Sequence, residues 1–157
     1  MVNLLANEVM MTTVRIETIH DYNALVAHET LHPLVSVIDL NKAPRRRGAA
    51  EATAASFGFY AVFLKEDQHC ILKYRRSSYD YQQGTLVFIA PCQVVGIEED
   101  GDDYQPTGHV LLFHPDLIRG TSLGQNINNY RFFSYDVHEA LHIKTRKAAR
   151  DRFFQQD

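Results

Sequence analysis

Apolar and polar positions alternate along the middle of the chain and give way to helical spacing near both ends. Residues 21–29 read as a short helix, with Asp21 as N-cap and Tyr22, Leu25 and Val26 on one face. Residues 34–40 follow as a strand rich in β-branched side chains. Residues 42–56 read as a loop, small and polar. Residues 57–64 are a first long strand, 66–68 a turn and 69–75 the returning strand, with a short edge strand at 79–81. Residues 85–90 are almost wholly apolar, a strand with both faces covered, and Pro91 ends it. Residues 93–97 lead to the Asp100-Gly101 step, a hairpin signal, and 108–114 form the last long strand. There Val110 and Leu112 face one layer while His109, Leu111 and Phe113 face the other.

Helix signals then take over. Pro115 suits the first position of a turn closed by Gly120. Ser122 and Gln125 match a capping box, with Leu123, Ile127 and Tyr130 on one face. Asp136 and Glu139 form a second box, and Thr145 caps a last helix carrying Ala149 and Phe153. About six short strands followed by helices predict a mainly β barrel or sandwich with a helical appendage, with a mixed α+β sheet as the competing arrangement.

At 157 residues the chain is long enough for one domain with its own core. The longest apolar run, 57–64, is far short of the roughly 20 residues a membrane helix needs, so no membrane role is expected. The N-terminus has no basic stretch before an apolar one, and the only cysteines are Cys70 and Cys92. Reduced thiols and a cytoplasmic location are therefore expected. A net charge of −3 argues against direct nucleic-acid binding by these residues.

The sharpest chemical motif is His138-Glu139-Ala140-Leu141-His142. On a helix the two histidines share a face and could grip zinc, with Glu139 as general base. Catalytic zinc needs a third protein ligand, yet no Glu follows Glu139 and no His follows His142. Glu139 also sits where a capping box wants it, so the motif reads as structural, and no metal, cofactor or catalytic residue is assigned. His28 and His32 share helical spacing, but Pro33 puts a helix end between them. The acidic run 98–103 lacks the spacing of a calcium loop, and Arg45, Arg46 and Arg47 read as solvated. Tyr60, Tyr74 and His109, on strands, are the candidates for lining a ligand pocket.

Residues 31–40 (LHPLVSVIDL), 57–60 (FGFY) and 79–91 (YDYQQGTLVFIAP) resemble the N-terminal sensor region of AraC-type transcription regulators, in the version typical of the Bacteroides group. Residues 112–124 (LFHPDLIRGTSLG) and 132–137 (FFSYDV) extend the likeness. The resemblance implies a cupin-like double-stranded β-helix with an N-terminal helix over residues 1–121, and a C-terminal helical segment of the same domain over 122–157. It further implies a small-molecule effector held in the barrel, homodimerisation through the helices, and signalling to DNA through a helix-turn-helix region that these residues do not include. An excised sensor domain or a naturally short protein would both fit. Metal-dependent cupins carry a His-x-His pair, and none occurs here.

Three functions follow as expectations. The first is the effector-binding and dimerisation domain of such a regulator, with Tyr60, Tyr74 and His109 at the ligand and Leu123, Ile127 and Ala149 at the partner. The second is a zinc hydrolase built on His138, Glu139 and His142. The third is a dimerisation module with a filled interior and no ligand.

Overall fold

The computed structural model describes residues 12–44, 53–65, 70–74, 77–78, 85–99, 105, 107–130 and 133. They form a mainly β structure: β1 (Thr12–Ile16), α1 (Ile19–Leu25), β2 (Val35–Asp39), β3 (Thr53–Phe57), β4 (Tyr60–Lys65), β5 (Cys70–Tyr74), β6 (Ser77–Ser78), β7 (Thr85–Ile89), β8 (Val95–Glu99), β9 (Gly108–Phe113), α2 (Pro115–Ile118) and α3 (Ser122–Asn126). Two sheets result, one in the order β1-β3-β8-β5-β6 and the other β2-β9-β4-β7. Every pairing is antiparallel except β1 with β3.

The chain passes back and forth between the sheets, and two of its strands do so side by side. β3 pairs with β8 in the five-stranded sheet, then both continue into the other sheet, where β4 pairs with β7. Between the sheets the ribbon stays hydrogen-bonded, because the Cys92 N–H donates to the Phe57 carbonyl at 2.8 Å. One strand turns the corner at Gly58-Phe59, and the other at Ala90-Pro91-Cys92-Gln93. The second corner is a turn with Pro91 second and Cys92 third. It is closed by the Gln93 N–H to the Ala90 carbonyl at 3.2 Å, and Cys92 has φ +65°. A turn of this form asks for glycine at its third position, because a Cβ there is strained. Cys92→Gly is therefore expected to stabilise the protein by about 1 kcal/mol, read as a raised midpoint in urea unfolding.

The core lies between the sheets. Ile16, Ala55, Phe57 and Val95 come from the five-stranded sheet and meet Ile38, Ala61, Phe63, Val87, Ile89, Val110 and Leu112 from the four-stranded one. Phe59 at the corner is fully enclosed. It forms an aromatic cluster with Phe57 at 5.4 Å between ring centroids and with Tyr22 at 6.4 Å. α1 brings Tyr22 there. Its N-cap is Thr18, whose hydroxyl accepts from the Asp21 N–H while Asp21 accepts from the Thr18 N–H, each at 3.1 Å. Ile19 and Asn23 face inward, one helical turn apart. The buried Asn23 amide is satisfied: it donates to Thr30 Oγ1 at 3.1 Å and accepts from the Ser36 hydroxyl at 2.9 Å.

Several expectations are corrected. The first helix begins at Ile19, with Thr18 rather than Asp21 as cap, because Asp21 serves as the box's third residue. β1 was not anticipated, and 53–56, read as loop, belong to β3. The stretch 57–64 is two strands meeting at the Gly58 corner. β4 and β5, like β8 and β9, lie in different sheets, so neither pair forms the expected hairpin, and residues 66–68, 100 and 101 themselves lie outside the described residues. A short strand, β6, stands at 77–78, and the expected strand at 79–81 lies outside the described residues. Thr121, not Ser122, caps α3. Pro115 and Gly120 sit as expected, the glycine at φ +79°.

Candidate functional site

The two faces of β9 decide where the expected pocket residues go. Val110 and Leu112 are buried between the sheets, so His109, Leu111 and Phe113 stand on the outer face of the four-stranded sheet. Register puts Tyr60 opposite Phe113, Val62 opposite Leu111 and Leu64 opposite His109. The outer face is thus a grid of three rows. Val35, Phe113 and Tyr60 form the first; Val37, Leu111, Val62 and Phe88 the second; Asp39, His109, Leu64 and Leu86 the third.

The first row is covered. Tyr60 stacks on Phe113 with ring centroids 5.0 Å apart, and Phe133 stands edge-on to it at 4.9 Å. Ile118 from α2 and Ile127 beyond α3 complete this second apolar cluster. Burial pushes the Tyr60 phenol above its ordinary value. Proline at the start of α2 and a His114 Nδ1 that accepts from the Asp116 N–H at 3.1 Å turn the chain sharply back over this end. α3 then packs close: a Cβ on Gly124 would collide with the Ile118 carbonyl, whose carbon would lie 2.9 Å away.

The second row is open at its β2 side, where Val37 is 61% and Leu111 37% exposed. The third row is polar at the same edge. Asp39 Oδ1 accepts from the Asn41 N–H at 3.0 Å and from its side-chain amide at 2.8 Å. His109 Nε2 lies 3.9 Å from Asp39 and Lys42 Nζ 3.8 Å. The Asn41 hydrogen bonds, helped by His109 and Lys42 and opposed by partial burial, hold the Asp39 carboxyl below the usual carboxylate value. Its contribution to stability is present above the unfolded Asp value of about 3.9 and is lost as pH falls through the lower folded value. Urea midpoints of the wild type and Asp39→Asn are therefore expected to differ at pH 6 and to converge as pH drops below about 4.

The expected pocket residues are not brought together. Tyr60 and His109 share the outer face, two rows apart, and point away from the interior. Tyr74 lies on β5 in the opposite sheet. Tyr60 and His109 therefore do not face the core between the sheets: periodicity separates the faces of a strand, and the helices that bury the outer one follow only later in the chain. Of the expected partner contacts, Leu123 is exposed, Ile127 is buried in the second cluster, and Ala149 lies outside the described residues. Residues 138–142, the runs 45–47 and 100–103, and the 79–81 stretch also lie outside them. Among the described residues no three metal-ligating side chains gather, and no helix is long and apolar enough to cross a membrane. Asp39 is the partner that sequence reading missed; its signal was a lone acid ending a strand of apolar residues. Compared with protein-family models, curated proteins and solved structures, the chain shows no match.

Proposed function

We propose that this chain is the effector-binding and dimerisation domain of an AraC-type transcription regulator, taking a small molecule inside a cupin-like roll and passing the signal to a DNA-binding region outside these residues. The observation that carries this reading is the ribbon of β3–β4 and β8–β7, which travels from one sheet to the other as a pair. Paired strands wound in this way are what a double-stranded β-helix requires. The likeness of residues 31–40, 57–60, 79–91 and 112–124 to that sensor region supports the same reading. The end of the interior lined by Tyr22, Phe57, Phe59 and Phe63 is filled with aromatic rings. The effector is therefore assigned to the other end, where β5 carries Tyr74.

The test is thermal unfolding against a panel of sugars and small organic acids. A specific binder at 100 times its Kd adds about 2.7 kcal/mol, a rise of roughly 5–10 °C for a chain of this size. Tyr74→Ala is expected to remove that rise. A panel without effect overturns the effector and favours the ligand-free dimerisation module, a reading that the aromatic filling of the interior supports.

A further inference from the structure

The four-stranded sheet ends on β2, which among the described residues has β9 on one side and no strand on the other. One hydrogen bond fixes the direction of its backbone groups. The His114 N–H donates to the Leu34 carbonyl at 2.8 Å, and the register that sets Val35 opposite Phe113 sets these two residues opposite each other. Along a strand the N–H and C=O of one residue point to the same side, and the side alternates from residue to residue. The backbones of Leu34, Ser36 and Ile38 therefore face β9, and those of Val35, Val37 and Asp39 face the outer edge. Val37, at the centre of β2, is 61% exposed, and Leu111 beside it on β9 is 37% exposed. β2 contains no proline, and its one charged residue, Asp39, stands at its end. A strand edge of this kind is a template for another strand.

Geometry distinguishes the possible partners. A face-to-face dimer takes about 800 Å² from each copy. The outer face does not supply it, because Tyr60 in its first row and Leu64 in its third are buried. Edge-to-edge pairing needs no such area, since main-chain hydrogen bonds carry the affinity. β2 is symmetric for it: Val35 and Asp39 lie equally far from Val37 and share its outward direction. An antiparallel twofold through Val37 sets that residue against Val37 of the second copy and Val35 against Asp39, with no like charges opposite each other. Each Val37 N–H then donates to the other Val37 carbonyl, and each Asp39 N–H to the opposing Val35 carbonyl. The exposed side chains join in one apolar stripe across the seam, Leu111 and Val37 of one copy meeting Val37 and Leu111 of the other.

We propose that β2 pairs with β2 of a second copy of this chain, fusing two four-stranded sheets into one. An interface this small makes a weak, reversible dimer. The proposal is independent of the effector and of the regulator reading, which expects dimerisation in the later helices.

The test is sedimentation equilibrium of the full chain from about 5 to 500 μM, a range that brackets weak association. The mass is expected to climb toward that of a dimer at the upper end. Val37→Pro removes an N–H that points away from β9, so the β2–β9 ladder survives and the dimer is lost. Val37→Lys keeps the backbone and places like charges opposite each other, with the same loss of dimer. Cross-linking reads the register. Opposite residues of a hydrogen-bonded antiparallel pair stand about 5.5 Å apart at Cα, within reach of a disulfide. In a Cys92→Gly background, Val37→Cys is expected to form a covalent dimer under mild oxidation roughly tenfold faster than Val35→Cys, whose thiol meets Asp39 rather than its own counterpart. A monomer throughout, a dimer that survives both Val37 variants, or equal cross-linking at positions 35 and 37 overturns the proposal. A surviving dimer assigns the contact elsewhere and leaves the regulator reading standing.

Discussion

Gly58→Ala is expected to cost about 3 kcal/mol, read as a Tm drop of roughly 6–12 °C. Small-to-large changes in packed sites usually cost less when a flexible side chain can move aside. Here a Cβ would strike the Glu17 carbonyl oxygen and come within 3.1 Å of its carbon, both backbone atoms. The Gly58 N–H also donates to the Ile16 carbonyl at 2.9 Å, so the corner and the β1–α1 link are tied together. Relief requires moving β1 off β3 or breaking that bond. Circular dichroism melts of Gly58→Ala check the result. A Tm within 2 °C of wild type would mean that the corner is loosely held.

Phe59→Ala is expected to cost still more, about 3–5 kcal/mol. Phe59 is wholly enclosed where the ribbon turns, with Phe57 and Tyr22 on its ring. Its loss removes apolar burial and leaves a void that neighbours held by β3, β4 and α1 fill poorly. Against a total of about 5–15 kcal/mol for a domain, this is enough to unfold part of the population at 37 °C. Phe59→Leu keeps most of the volume and is expected to recover more than half of the loss, by urea unfolding at one temperature. Equal losses for both variants would show that ring geometry, not volume, matters at this position.

These two neighbours also show what the sequence made legible. Phe57, Phe59, Ala61 and Phe63 all belong to the core, so alternation runs unbroken through the corner and 57–64 looks like one strand. Only Gly58 marks the break, and one glycine in an apolar run does not announce a change of sheet. β2, β7, β9 and α2 were readable because β-branched alternation, or Pro115 and Gly120, act within a few residues. Ala54, Ala55 and Ser56 were not, since small side chains have weak strand preference and β1 and β8 impose the conformation. The hairpin expectations failed for a related reason: a turn signal is local, whereas the partner of each strand is chosen across the sandwich.

The candidate site was legible in part. The division of β9 into Val110 with Leu112 and His109 with Leu111 and Phe113 followed from period two alone. Which side faced inward did not, because both are apolar and the difference comes from Ile118, Ile127 and Phe133 arriving afterwards. The Asp39–His109 juxtaposition was hidden for the same reason, since its register joins distant segments.

That register sets a timetable for the newborn chain. Val35 lies opposite Phe113, and among the described residues β2 has no other strand beside it in its sheet. While the ribosome is still making the intervening segments, β2 is an orphan, and its sheet closes only once Phe113 has cleared the exit tunnel. Closing this sheet therefore depends on a pairing of segments far apart in sequence, which puts assembly on the slower, millisecond-to-second side for a domain of this size. In that interval the Val35–Asp39 segment is the place where a chaperone, or a wrong neighbour, gains its hold.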